Sequence, residues 1–477
     1  MLFNSLEFLL FFPIVCILYF ASPHKYRWLL LLIASYYFYM SWKATYALLL
    51  LGITVINYCA GLLLAKINNK IYRKLIFIGT IVLSLSTLYY FKYFIFFGES
   101  VNYLFQKLGI GMTIPLNEII LPVGISFFTF QALSYTIDVY RGDMEVEKHF
   151  GIFALFVSFF PQLVAGPIER ATHLLKQFYE KHIFSEEQLW QGARLMLWGL
   201  FKKLVIADRA AIYVNEIYNN HNQYGGIAYI IATILFAFQI YCDFSGYSDL
   251  ARGSARIMGF RLMVNFRFPY FSRNVTSYWQ KNHISLTTWL KDYIYYPLVE
   301  KNPTIPRMCI ITLLTFLLSG LWHGAGWTFV IWGGWQAVFL IYDILMRRSR
   351  KKMDKWFKKR KLFNLSLYLR YLITFIILSL SLVYFRASNL SQAQAILEGI
   401  FSLKPGAIFH NFGAVLYSFA GILVLIAAEY NDRFDFDEFV RNRFKKRSHR
   451  WCYYCFILMM ILTVGVNDSA EFIYFQF

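Results

Sequence analysis

Two histidines within apolar, aromatic-rich stretches are the first residues of this sequence that could perform chemistry. His323 lies in LLSGLWHGAGWTFVIWGGWQ, where one apolar run ends and the next begins, and His283 lies forty residues earlier in YWQKNHISLTTWLKDYIYYPL. Ionisable residues within membrane segments are costly and mark functional sites by default, and a neutral imidazole can accept the proton of a hydroxyl group. Taken alone, His323 fits a hydrogen-bonded histidine in a packed glycine-rich turn equally well, and His283 fits a water-bound interfacial histidine better. The pair is therefore more informative than either member.

The residues around His323 have the composition of a cavity wall. Five glycines and four tryptophans lie between residues 320 and 335. Small residues allow two backbones to approach closely, and aromatic side chains line ligand pockets. Trp322 and Trp327 are therefore candidate lining residues, together with Gln162 of the apolar segment FFPQLVAGPIER.

A second group of charged residues lies in YCDFSGYSDLARGSARIMGF. Asp249 and Arg252 are three residues apart, so on a helix they could form an ion pair that neutralises charge at the membrane edge. That interpretation is favoured. The functional alternative is that Asp249, Arg252 and Arg256 bind an anionic, phosphate-bearing donor from the cytoplasm, because guanidinium groups match phosphate geometry.

The last residues, EFIYFQF, form an aromatic tail. An aromatic anchor at the membrane interface is the simpler explanation. The alternative is that residues 467–477 fold back into the cavity and present the Tyr474 hydroxyl as an acyl carrier. A phenol can act as a nucleophile once a base removes its proton.

These residues must be positioned by membrane helices. Hydrophobic residues make up 58% of the 477-residue chain and charged residues only 16%, which excludes an ordinary soluble domain. A bilayer core needs about 20 mostly apolar residues per helix. The sequence thus predicts an all-α, polytopic membrane protein of about 11–13 segments, some of them re-entrant, at 6–21, 28–42, 46–65, 75–97, 119–139, 226–243, 309–322, 327–346, 365–385, 412–429 and 453–466, with weaker candidates at 151–165 and 189–206.

The net charge of +20 is concentrated in two short loops. Residues 347–361 and 441–450 together carry +15. Because Lys and Arg favour the cytoplasmic side, these loops are expected in the cytoplasm, and the charge indicates topology rather than binding to nucleic acid. The tail 467–477 is then extracytoplasmic. The long stretch 249–308, amphipathic and basic, is expected on the cytoplasmic side, which requires that 151–165 or 189–206 is short or re-entrant.

Metal and thiol chemistry are not indicated. The six cysteines mostly fall in apolar runs, where a thiol behaves as a small hydrophobic group. Cys452 and Cys455 form a C-x-x-C pair, but they lie at the start of a membrane segment and outside any βαβ pattern. The chain has no H-E-x-x-H motif and no second cysteine pair, so no metal site is predicted.

Six segments together resemble the membrane-bound O-acyltransferase (MBOAT) superfamily. The likeness is closest to the bacterial branch of alginate and peptidoglycan O-acetylation and teichoic acid D-alanylation membrane proteins. It covers nearly the whole chain, residues 1–477, as a single domain. The segments, in order, are MLFNSLEFLLFFPIV, SFFTFQALSYTIDVYRG, FFPQLVAGPIER, DFSGYSDLA, HISLTTWLKDYIYYPL and GLWHGAGWTFVIWGG.

The resemblance implies a fold, an activity and roles for individual residues. The fold would be a funnel-shaped helical enzyme that moves an acyl group from a cytoplasmic thioester to an extracytoplasmic acceptor. The family's essential histidine matches His323, and its second histidine matches His283. The tail looks like the acyl-relay end of this branch, at Phe472, Tyr474, Phe475 and Phe477. The chain departs from the branch at Asn282, where Trp is usual, and at Val299-Glu300, where Gly-Gly is usual.

The sequence-based hypothesis is a bacterial inner-membrane, multi-pass O-acetyltransferase that uses acetyl-CoA or another acyl thioester and binds no cofactor. His323 would deprotonate Tyr474, and the acyl-tyrosine would pass its group to an extracytoplasmic Ser-His-Asp, hydrolase-like partner that modifies a polysaccharide. A transporter with an intramembrane His/Asp proton relay and a non-catalytic scaffold are the alternatives. The sequence does not specify the polymer, the acyl group or the partner.

Overall fold

The described part of the chain is mostly helical. The structure is a computed structural model that describes residues 1–164, 166–409, 411–430, 440, 444–466 and 473. No β-strand occurs in these ranges, only an isolated bridge between Tyr224 and Ala407. By length and composition, seven helices within the described residues can cross a membrane: Tyr46–Lys66, Lys70–Lys107, Gly226–Ile257, Ile305–His323, Trp327–Leu345, Phe363–Arg386 and Phe412–Tyr430.

The remaining helices are shorter or less apolar, and each apolar run predicted from the sequence falls on a helix. The run at 119–139 becomes helical only from Ile125. In the part of the chain that the structure describes, three helices contain π-helical turns, at Tyr89–Tyr93, Phe201–Ala207 and Lys291–Tyr295. The other α-helices are Leu6–Ala21, His24–Met40, Ile125–Arg141, Phe150–Ser158, Phe160–Leu163, Ala171–Tyr179, Glu186–Leu200, Asp208–Asn219, Val275–Trp279, Ile284–Leu290, Tyr296–Val299, Arg347–Lys359, Leu390–Ser402 and Arg447–Val464.

The fold divides into two compact units. The first unit comprises Met1–Ala193 and Leu250–Met263, and the second comprises Arg194–Asp249 and Val264–Phe477. In the first unit, Ile125–Arg141 is buried along nearly its whole length, and Phe150–Ser158 is buried at every residue after the first. In the second unit, a single large cluster of buried aromatic and aliphatic side chains contains both Trp332 and Phe385.

Two helices of the second unit form a hairpin that ends at the candidate site. Ile305–His323 and Trp327–Leu345, here called the histidine hairpin, are joined by three residues. They pack closely because Gly320 and Gly333 face each other: a Cβ on Gly320 would lie 2.3 Å from the carbonyl oxygen of Phe329. Small residues at such crossings let membrane helices pack backbone to backbone, and the hairpin thus fixes the position of His323.

The stretch 249–308 is broken into short helices with buried side chains. It contains Val275–Trp279, Ile284–Leu290, Lys291–Tyr295 and Tyr296–Val299, and it leads into the histidine hairpin at Ile305. Trp279, Leu286, Trp289 and Leu290 are all buried. Trp279 and Trp289, two of the aromatic residues of this stretch, therefore belong to the interior of the second unit.

Candidate functional site

His323 is the last residue of its helix and is enclosed by aromatic rings. Its side chain is 3% exposed. The ring centres of Trp322 and Trp332 each lie 5.0 Å from that of His323, and the Phe385 ring lies 5.4 Å away, all with edge-to-face geometry. An imidazole in such surroundings has restricted orientation and little contact with bulk water. The environment suits a group that exchanges a proton with one bound partner.

His283 reaches the same place from a different part of the chain. It precedes the helix Ile284–Leu290 and has a left-handed backbone conformation, with φ of 44° and ψ of 53°. For a residue with a Cβ this conformation costs about 1–2 kcal/mol, and it persists only where the surroundings hold it. Backbone strain of this kind concentrates at functional sites.

Asn265 holds His283 in that conformation. The Asn265 side-chain oxygen accepts hydrogen bonds from the amide and hydroxyl groups of Ser285, at 3.1 and 2.8 Å. The backbone carbonyl of Asn265 accepts from the Ile284 amide at 2.9 Å. Because a backbone N–H can only donate, the contact with Ser285 identifies the Asn265 atom as oxygen.

The same oxygen sets the tautomer of His283. The Nδ1 atom of His283 lies 3.4 Å from Oδ1 of Asn265, and a hydrogen bond to this acceptor requires that Nδ1 carries the proton. Nε2 is then the basic nitrogen of a neutral ring. Complete burial lowers the pKa of His283 to about 3, so the ring stays neutral at ordinary pH.

The two histidines share one small cavity. Their ring centres are 6.3 Å apart. The cavity has a volume of about 30 Å³, and its lining includes Phe244, Asn282 and both histidines. That volume matches about one water molecule, so a substrate group must move side chains in order to enter.

A larger cavity adjoins the first. Its volume is about 200 Å³, and Trp279 lines both cavities. On the histidine hairpin, its lining runs from Ser319 to Thr312 on one helix and from Leu340 to Ile344 on the other, away from His323. It therefore leads from the histidines toward the hairpin end that precedes the basic segment 347–361.

Trp332 contributes a buried hydrogen-bond donor to the small cavity. The side chain is buried and lines the cavity beside both histidines. Its indole N–H has no acceptor among the residues that the structure describes. A buried N–H without an acceptor is costly, and a substrate carbonyl oxygen would satisfy it.

Two carboxylates of the long helix Gly226–Ile257, here called the motif helix, form buried ion pairs. Lys203 binds Asp243 at 2.6 Å and Asp208 at 2.8 Å, and Lys202 binds Asp249 at 2.5 Å. Gly246 lies midway between the two motif-helix carboxylates.

The glycine explains the spacing D-x-x-G-x-x-D. A Cβ on Gly246 would lie 2.8 Å from the Gly199 carbonyl oxygen and 3.3 Å from the Lys203 amide. Only glycine lets the two backbones approach so closely. The π-helical turn Phe201–Ala207, here called the lysine turn, presents both lysines to the motif helix.

The chain after the last helix is tied to the lysine turn. The Val466 amide donates to the Leu204 carbonyl at 3.1 Å, and the Arg209 guanidinium donates to the Val464 carbonyl at 3.0 Å. Ile473 is 4% exposed and belongs to the hydrophobic core of the second unit. Its amide donates to Oδ2 of Asp243 at 2.7 Å. Tyr474, Phe472, Phe475 and Phe477 lie outside the described residues.

The structure brings together some of the predicted site residues. His323, His283 and Trp322 meet in the second unit, where the ring centres of Trp322 and His283 are 5.6 Å apart. Trp327 is 55% exposed and lines neither of these cavities. Gln162 belongs to the first unit, where it donates to the Phe156 carbonyl.

The predicted donor-binding residues do not all lie in the same unit. Asp249 forms an ion pair with Lys202 in the second unit. Arg252 and Arg256 belong to the first unit, and the Arg256 guanidinium donates to the Gln191 side chain at 2.6 and 2.9 Å.

Sequence reasoning missed Asn265 and the two lysines. Asn265 stands alone in the apolar stretch RLMVNF, and Lys202 and Lys203 interrupt the apolar run WGLFKKLVIA. Polar residues in apolar runs are the signal that would have found them, because such residues are retained where they have partners.

Comparison with known proteins finds a matching family model and similar sequences. A family model described as MBOAT, membrane-bound O-acyltransferase family, matches residues 149–387. A probable alginate O-acetylase AlgI of Pseudomonas aeruginosa is 38% identical over 407 residues, which cover 84% of this chain and 75% of the relative.

Two more distant relatives are named for other polymers. A peptidoglycan O-acetyltransferase of Helicobacter pylori is 32% identical over 406 residues, which cover 80% of this chain and 75% of the relative. A teichoic acid D-alanyltransferase of Bacillus subtilis is 27% identical over 261 residues, which cover 52% of this chain and 63% of the relative.

Proposed function

Because this chain belongs to the membrane-bound O-acyltransferase family, and is therefore a multi-pass membrane acyltransferase, we propose that it transfers acetyl groups by a histidine-assisted tyrosine relay. The donor is a cytoplasmic acyl thioester such as acetyl-CoA. The carrier is Tyr474, and His323 is its general base. The enzyme lies in the bacterial plasma membrane, with 347–361 and 441–450 in the cytoplasm and the tail outside.

One observation carries the proposal: Ile473, the residue before Tyr474, is buried in the hydrophobic cluster that also contains Trp332 and Phe385. Those two rings contact His323. The C-terminal segment thus has a described residue in the same core as the base. An aromatic tail that served only as an interfacial anchor would not need this burial.

The first step forms an ester on the tyrosine. The basic nitrogen of His323 takes the proton of the Tyr474 hydroxyl as the phenolic oxygen attacks the thioester carbonyl. The C–S bond breaks, and the leaving thiolate takes the proton from the His323 imidazolium. The indole N–H of Trp332 stabilises the negative charge that develops on the carbonyl oxygen.

The second step moves the acyl group to the acceptor. A hydroxyl of the acceptor attacks the tyrosyl ester and Tyr474 leaves, regaining a proton. A phenol, with a pKa of about 10, is a better leaving group than a sugar hydroxyl, so the ester remains reactive. His283, neutral with its proton on Nδ1, offers Nε2 as a hydrogen-bond acceptor that orients the reacting hydroxyl.

The donor approaches through the larger cavity. The cavity leads from Trp279 along the histidine hairpin toward the basic segment, which the positive-inside rule assigns to the cytoplasm. Arg252, Arg256 and Asp249 remain candidates for binding the donor's phosphates, with Arg252 and Arg256 in the first unit.

The acceptor is an extracytoplasmic Ser-His-Asp protein that completes the transfer to a polysaccharide. The relatives with 38% and 32% identity are named for alginate and peptidoglycan acetylation, so an alginate-type polymer is the first substrate to test. A transporter or a scaffold would not form a covalent acyl intermediate.

Labelling with radioactive acetyl-CoA in detergent tests the relay. We expect wild-type protein to acquire label on Tyr474, and Tyr474→Phe and His323→Gln to lose it. Tyr342→Phe and His449→Gln are matched controls, since both side chains are exposed. Full polysaccharide acetylation by Tyr474→Phe would reject the tyrosine carrier, and undiminished labelling of His323→Gln would reject the base.

A further inference from the structure

A buried carboxylate on the motif helix contacts the C-terminal segment. Oδ1 of Asp243 binds Lys203 at 2.6 Å, and Oδ2 accepts the Ile473 amide at 2.7 Å. The two oxygens of one carboxylate therefore serve different partners. One fixes the side chain to the lysine turn, and the other binds the backbone next to Tyr474.

The charges of this cluster favour an additional donor. Lys203 is shared between Asp243 and Asp208, and the side chains of all three are at most 3% exposed. Buried carboxylates are stable only when their oxygens are paired or hydrogen-bonded. A backbone N–H supplies a charge-assisted hydrogen bond without adding a second cation. The Ile473 amide thus meets a requirement of the ion cluster itself.

The C-terminal segment is bound at two points, one on the lysine turn and one on the motif helix. The Val466 amide binds the carbonyl of Leu204, and Ile473 binds Asp243, the ion-pair partner of Lys203. Residue 466 is thus bound directly to the turn, and residue 473 is bound to a carboxylate that pairs with the turn. Asp243 is also followed by Phe244, whose ring lies 4.6 Å from that of His283.

We propose that Asp243, fixed by Lys203, is the docking point of the C-terminal segment and positions Tyr474 for acylation. Asp243 acts through the Ile473 backbone and does not touch the reacting atoms, so it is a positioning residue. This role rests on the proposed tyrosine relay. The docking contact itself can be tested without any catalytic readout.

Two pairs of variants of the full-length protein separate docking from folding. Ile473→Pro removes the amide hydrogen and leaves the ion cluster intact, whereas Ile473→Val keeps the hydrogen. Asp243→Ala removes the acceptor, whereas Asp208→Ala removes the other carboxylate of Lys203, which has no described contact with Ile473. If Asp243→Ala does not fold, the comparison of Ile473→Pro with Ile473→Val still tests the docking contact.

Hydrogen exchange of the C-terminal peptide, read by mass spectrometry, is the primary measurement. We expect Ile473→Pro and Asp243→Ala to speed its exchange about 10- to 100-fold, the value of one hydrogen bond to a charged group. Acylation of Tyr474 should fall at least about tenfold in the same variants. Ile473→Val and Asp208→Ala should keep the protection of the peptide.

The outcomes distinguish docking from the relay. Wild-type exchange in both Ile473→Pro and Asp243→Ala would overturn the docking contact. Lost protection with undiminished Tyr474 acylation would overturn the positioning role. If Tyr474→Phe remains fully active while Ile473→Pro loses protection, the relay is wrong and the docking contact stands.

Discussion

The imidazole rings of His283 and His323 lie 6.3 Å apart and are inclined by 65°, although forty residues separate them in the chain. The two rings are held in position by different structural features. His323 is fixed by a glycine-packed helix hairpin, and His283 is fixed by a strained backbone hydrogen-bonded to Asn265. Each feature can be altered by its own substitution, so the contribution of each histidine can be measured separately.

Replacing Asn265 by alanine should impair catalysis more than folding. The substitution removes the acceptor of Ser285 and His283, which costs about 1–3 kcal/mol of stability and frees the His283 tautomer. We expect acyl transfer per folded molecule to fall about 10- to 100-fold, as for the loss of a group that orients a functional histidine.

Asn57→Ala is the matched control for this prediction. Asn57 is a buried asparagine of the first unit that bonds Ser84 and Thr136. It should lose comparable thermal stability in detergent while keeping its activity per folded molecule. Equal activity losses in the two variants would contradict a specific role for Asn265.

Trp332→Phe should slow acylation of Tyr474. It preserves the ring that packs against His323 but removes the buried N–H proposed to bind the carbonyl oxygen. Loss of one such donor typically costs about 10²–10³ in rate. Single-turnover acylation measures it. Trp335→Phe, on the same helix, is the control, because the Trp335 N–H donates to the Ile377 carbonyl. This variant should change the stability of the protein but not the acylation rate. Similar slowing in both variants would contradict the role of the Trp332 N–H.

Much of this architecture could be predicted because it depends on local pattern. Apolar runs of bilayer length identify the spanning helices, and the glycine-rich turn places His323 at a helix end. The cluster of tryptophans and glycines also predicts an enclosed site there. Each of these features can be found within about twenty consecutive residues.

The rest depends on partners that are distant in sequence. Spacing alone gives no sign that Lys202 binds the Asp249 carboxylate, because the two residues are 47 positions apart. Asn265 reaches His283 across 18 residues of chain, which include the short helix Val275–Trp279. The lysine turn is also a π-helical interruption, which no hydrophobic period reveals. Tertiary packing, not local preference, decides these contacts.

Gly320→Ala should prevent correct packing of the histidine hairpin, whereas Gly334→Ala should be tolerated. A Cβ at position 320 would lie 2.3 Å from the Phe329 carbonyl oxygen, but at position 334 the nearest atom would be a Leu317 methyl group at 3.7 Å. We expect a loss of about 1–3 kcal/mol for the first variant and little change for the second, read as thermal stability in detergent. Equal stability of the two would contradict the close glycine crossing.

Because its pKa is lowered, His283 makes the protein less stable as the pH falls below 6.5. Burial lowers this pKa from 6.5 to about 3 in the folded protein. Above pH 6.5 the ring is neutral in both the folded and the unfolded states, so its contribution to stability is complete there. Below pH 6.5 only the unfolded state binds the proton, and folding loses about 1.4 kcal/mol per pH unit until the pH approaches 3.

Comparing pH 7 with pH 5 isolates this effect. His283 should account for about 2 kcal/mol of destabilisation over that interval, seen as a lower unfolding temperature of wild-type protein at pH 5. His283→Gln cannot take up the proton, so its unfolding temperature should fall less between the two pH values, whatever its absolute stability. The difference between the two slopes removes the contribution of every other titrating group. Parallel slopes would mean that His283 is protonated in the folded state and is not the neutral acceptor that the relay requires.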